Sequence, residues 1–73
     1  MSFTELSVRH AHDSRARRLL GHYREAHSAL ELLAQRLRDE GNPRRANSIG
    51  AMTATLEAMA AADLERAAEE NRL

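Results

Sequence analysis

Apolar positions recur at steps of three and four along two long stretches of this chain. The first series is Ala16, Leu19, Tyr23, Ala26, Leu30, Leu33 and Leu37, the heptad spacing of a helix with one buried seam. Leu20, His27 and Ala34 widen that stripe on one side, giving a face broad enough for more than one neighbouring helix. The second series is Ile49, Met52, Thr53, Leu56, Met59, Ala60, Leu64 and Ala67, in a stretch whose many alanines favour helix and permit close backbone approach. Between the two lies the one strong helix-breaking cluster, Gly41-Asn42-Pro43. Glycine suits the left-handed position just past a helix end, asparagine caps a helix start, and proline fits the first helical turn.

The pattern predicts an all-α fold. Helix 1 spans about residues 3–40, a turn occupies 41–42, and helix 2 spans about 43–72. A connection this short makes the helices antiparallel neighbours. At 73 residues the chain is read as one helical-hairpin domain over 1–73. A lone hairpin has only one helix–helix interface, so dimerisation into a four-helix bundle is the expected remedy. The interface core is then Leu19, Leu20, Tyr23, Leu30, Leu33, Leu37, Ile49, Met52, Leu56 and Met59.

The start of helix 1 has its own signals. Ser2 and Glu5 have capping-box spacing, with Met1 and Leu6 placed for a hydrophobic staple. With about 38 residues against about 30, helix 1 overhangs helix 2 by roughly 12 Å at 1.5 Å per residue. The overhang carries Phe3, Leu6 and Val8, which have no partner within one hairpin and form a candidate docking patch. Gly21 and Gly50 fall inside the helices, where each costs about 1 kcal/mol relative to alanine; close packing at those points is the expected reason.

Composition alters this picture little. Formal net charge is zero, and all 11 basic residues are arginine, which with the alanine bias suggests GC-rich coding in a bacterium or its phage or plasmid. There is no cysteine, so disulfide and thiolate chemistry are excluded. The first residues lack the basic and apolar regions of a signal peptide, and no apolar run is long enough to cross a bilayer. A cytoplasmic location without membrane contact is expected.

Charge is distributed unevenly. Arg9, Arg15, Arg17, Arg18 and Arg24 face one acid, Asp13, while Glu57, Asp63, Glu65, Glu69 and Glu70 face one base, Arg66. Folding at Gly41-Asn42 sets Arg18 level with Glu65, Arg15 with Glu69 and Arg24 with Glu57, so the hairpin neutralises much of its own asymmetry. Near the turn, Arg44 and Arg45 sit where the helix dipole disfavours positive charge, and pairing with Asp39 and Glu40 is expected.

Candidate chemistry is sparse. His10, His12, His22 and His27 lack the i,i+4 spacing of helical metal ligands, and His27 is expected to be partly buried and paired with Glu31. The serines and threonines lack a nucleophile elbow. No catalytic, metal or cofactor site, no cofactor and no small-molecule substrate is assigned.

In length, hairpin plan and turn position the chain resembles two kinds of small helical-hairpin protein. One is the plasmid copy-number regulator that dimerises and binds paired RNA loops. The other is the small co-chaperone of type III secretion needle subunits, echoed by Leu37 to Gly41 followed by Pro43, and by Leu56-Glu57. The likeness is one of plan and carries no residue role over. The function expected is a non-catalytic protein–protein interaction module: an adaptor, co-chaperone or inhibitor whose partner is a second copy or another protein. The alternative is a plasmid- or phage-type regulator that binds nucleic acid through Arg9, Arg15, Arg17, Arg18 and Arg24 on helix 1. The two aromatics, Phe3 and Tyr23, offer little for base stacking.

Overall fold

The hairpin turn forms as its residues dictate. In the computed structural model, which describes residues 2–71, α2 (Ser14–Asp39) and α3 (Pro43–Asn71) run antiparallel, and a short α1 (Phe3–Arg9) precedes them. Gly41 takes a positive φ of 80°. The Asn42 N–H donates to the Leu37 carbonyl at 2.8 Å and the Gly41 N–H to the Arg38 carbonyl at 3.0 Å, which satisfies carbonyls the ending helix leaves free. The Asn42 side-chain oxygen then accepts from the Arg45 N–H at 3.2 Å and caps α3. Ser2 caps α1, its hydroxyl accepting from the Glu5 N–H at 3.3 Å. The Met1 half of the expected staple lies outside the described residues.

The expected continuous helix over 3–40 is broken. His10 ends α1, and Asp13 caps α2 by accepting from the Arg15 and Ala16 N–H groups at 3.0 and 3.2 Å. The break falls level with the last described turn of α3, as Arg15 at the start of α2 pairs with Glu70. A straight helix would carry Phe3 and Leu6 away from Leu20, Ala60 and Leu64. Folding back instead lays α1 antiparallel along the hairpin, with the Phe3 ring edge-on to His27 at a centroid distance of 4.9 Å. Burying two large apolar side chains this way is worth about 1.5–3 kcal/mol each, which offsets the helical hydrogen bonds lost at the break. One cost is visible: His10 is buried with its Nε2 lacking a hydrogen-bond partner among the described residues.

Two apolar clusters result. Away from the turn, Phe3, Leu6, Ala16, Leu20, Ala60 and Leu64 pack together, with Leu19, Tyr23 and Ala61 against them. Near the turn, Ala34, Ala46 and Ile49 form a second cluster with Leu30 and Leu37. His27 lies at the level between them, its Nδ1 2.8 Å from Glu31 and its Nε2 3.3 Å from Glu57. The expected Glu31 pairing is therefore present. Both ring nitrogens thus face carboxylates.

The close packing expected at Gly21 and Gly50 is absent. A β-carbon at either position would meet nothing within 4 Å. The molecule is elongated, 50 × 15 × 15 Å with a radius of gyration of 14.3 Å, against about 11 Å for a compact domain of this length.

Candidate interaction face

Alanines set the geometry of the α2–α3 seam. Ala16, Ala34, Ala46, Ala60 and Ala67 are buried there with Leu20, Ile49 and Leu64. Small residues let the two backbones approach, and large side chains about 100° round each helix are turned to the flanks.

One flank is covered by α1. Arg9 of α1 pairs with Glu65 of α3 at 2.8 Å. Ser7 and Ala11 border a groove with Arg17, Leu20, Gly21 and Arg24 of α2, and Phe3 and Thr4 border another with His27 and Glu57. On α3, helical phase puts Glu57, Ala61, Glu65 and Ala68 on this side.

The opposite flank is open. At 100° per residue, Leu33 of α2 and Met52 and Met59 of α3 point to the side away from α1, alongside Ala26, Leu30, Leu37 and Leu56. Leu33 is 43% exposed, Met52 53% and Met59 51%, while Leu30, Leu37 and Leu56 are half-buried. These residues form one apolar strip along the hairpin. At its end away from the turn, the Tyr23 hydroxyl donates to Asp63, which also lies 3.6 Å from Arg66. That hydrogen bond, reinforced by burial and by the Asp63 charge, raises the Tyr23 pKa above the ordinary tyrosine value.

Several expected roles are thus exchanged. Leu6 is fully buried and Phe3 nearly so, so neither belongs to a docking patch; only Val8 remains exposed. Leu20 and Ile49 are buried in the core, and Leu19, Tyr23, Leu30, Leu37 and Leu56 are half-buried beside it. Leu33, Met52 and Met59, expected in the interface core of a four-helix bundle, are exposed in the single chain. The exposed Leu32 points outward from the back of α2, apart from the strip.

The arginine segment is divided. Arg9 and Arg15 are held by Glu65 and Glu70. Glu65 is therefore taken by α1 rather than by Arg18, and Glu57 by His27 rather than by Arg24. Arg17, Arg18 and Arg24 are exposed, with no ion pair to any described residue. Arg17 and Arg24 share the α1 side of α2, whereas Arg18 points outward. The pairing expected of Arg44 and Arg45 with Asp39 and Glu40 is absent among the described residues, where Asp39 instead accepts from Gln35 at 3.1 Å.

Among the described residues no group of three or more His, Asp or Glu is placed to hold a metal ion, and no helix is long and apolar enough to cross a membrane. Comparison with protein-family models, with curated proteins and with solved structures finds no match to this chain.

Proposed function

We propose that this chain is a small non-catalytic protein-interaction module, an adaptor, co-chaperone or inhibitor, that presents helical surface to a protein partner. The observation that carries the reading is the open strip of Leu33, Met52 and Met59, on the side of the hairpin that α1 leaves bare. A contiguous apolar strip rimmed by charge marks an interaction surface. Two methionines give it side chains that adapt to a partner's shape. The complementary surface is a pair of helices laid along the strip, which completes a four-helix bundle.

The test is capture from nuclease-treated lysate on immobilised wild-type chain and on a Met52→Glu/Met59→Glu variant of matched helicity. Proteins held by the wild type and lost by the variant, further copies of this chain included, support the reading; equal recovery of all of them on both overturns it.

The second reading is nucleic-acid binding, favoured by the exposed Arg17, Arg18 and Arg24, which have no ion pair among the described residues. It predicts retardation of RNA or DNA that weakens steeply with salt and is abolished by Arg17→Gln/Arg24→Gln. Absence of retardation at low salt removes it.

A further inference from the structure

Resting on the interaction-module reading, we propose that the occupant of the Leu33–Met52–Met59 strip is a second copy of this chain, packed face to face about a two-fold axis. Surface area is the first argument. A compact monomer of 8.2 kDa exposes about 4,500 Å², and this chain exposes 5303 Å². The excess, about 800 Å², reflects the elongated shape of the chain, and a stable interface takes about that much from each partner.

Charge is the second argument. Two copies of a chain with zero formal net charge meet without net repulsion. The strip's ends are also complementary to each other. Helical phase puts Arg45 and Asp63 on the strip side of α3, roughly 27 Å apart at 1.5 Å per residue, with Met52 and Leu56 near the midpoint. A two-fold axis through that midpoint sets Arg45 of each copy level with Asp63 of the other, and both pairings arise from one rotation. Arg45 has no ion pair among the described residues of its own chain, and the Asp63 it meets across the axis is shared with that copy's own Tyr23 and Arg66.

Closure is the third. α1 covers the other flank away from the turn, and towards the turn that flank is lined by Glu31, Gln35, Arg38 and Thr53. Each copy therefore offers one apolar face, and the assembly stops at two.

The experiment is sedimentation equilibrium of the full chain through a micromolar dilution series, with circular dichroism on each sample. The expected result is twice the chain mass, dissociating on dilution. Met52→Glu/Met59→Glu raises the dissociation constant by about a hundredfold or more. Arg45→Asp raises it by roughly tenfold, and Leu32→Glu, on the back of α2, leaves it unchanged. If the methionine variant unfolds, Arg45→Asp and the wild-type mass decide the matter. A wild type of single-chain mass throughout, or assemblies larger than two, overturns the proposal. So does a dimer disrupted by Leu32→Glu and indifferent to Arg45→Asp. A monomeric wild type whose captured partner is lost from the methionine variant keeps the module reading and rejects the second copy as occupant.

Discussion

Leu6→Ala separates the folded-back α1 from the overhang that helical periodicity alone suggests. Leu6 is one of the two largest fully buried side chains, with Leu64, and packs in the cluster of Phe3, Leu20 and Ala60. Truncating a buried leucine costs about 2–5 kcal/mol, the value depending on how far the site collapses. Here α1 is one short helix on a four-residue tether, His10–Asp13, and it can lift away rather than leave a cavity. The loss is then capped at the free energy of docking α1, so about 2–3 kcal/mol is expected. Total stability for a chain of this length is roughly 4–11 kcal/mol, which makes the effect large. The assay is urea unfolding followed by helical ellipticity, with wild type and variant at equal protein concentration because association contributes to apparent stability. Val8→Ala, at a position 76% exposed on the same helix, is the control and shifts stability by less than about 0.5 kcal/mol. A Leu6→Ala effect as small as that of Val8→Ala would refute the docking of α1.

Glycine and tyrosine substitutions test other parts of the account. Gly21→Ala and Gly50→Ala each stabilise by up to about 1 kcal/mol, since nothing occupies the space of the added methyl group; Gly41→Ala, at a φ of 80°, destabilises by about 1–2 kcal/mol. Thermal unfolding of the three variants reads both signs, and destabilisation by the helical pair contradicts the open packing. The chain has one tyrosine and neither lysine nor cysteine, so absorbance of tyrosinate follows Tyr23 cleanly in alkali. Its pKa is raised in the folded state by the hydrogen bond to Asp63. Its stabilising contribution is therefore complete below the unfolded value near 10 and fades as pH climbs through the folded pKa. Tyr23→Phe abolishes that alkaline loss and costs about 1 kcal/mol or less at neutral pH; an unchanged alkaline profile refutes the assignment.

The turn was legible in the sequence because its physics is local. Gly41, Asn42 and Pro43 each have one conformational role, and the structure uses all three. The inward positions of α2 and α3 were legible in part, since three-and-four spacing locates a stripe. Spacing does not divide that stripe between residues under the partner helix and residues beside it. The alanines mark the division: Ala34, Ala46 and Ala60 are buried, and Leu33, Met52 and Met59 stay exposed at the flank. The break at His10–Asp13 carried a signal, Asp13 as an N-cap, but helical propensity runs through it. What favours folding back is tertiary: it brings Phe3 and Leu6 onto Leu20, Ala60 and Leu64. The ion pairs shifted for the same reason, as α1 brought Arg9 to Glu65.

α1 closes one flank of the hairpin and leaves the other open. Methyl NMR with a soluble paramagnetic agent measures this directly. At the lowest workable concentration, the Leu6 and Leu64 methyls should be shielded while those of Val8, Leu32, Met52 and Met59 broaden. As concentration rises, Met52 and Met59 should become shielded and Val8 and Leu32 should not. A Leu6 methyl that broadens like that of Val8, or Met52 and Met59 methyls shielded in the isolated chain, would contradict the account.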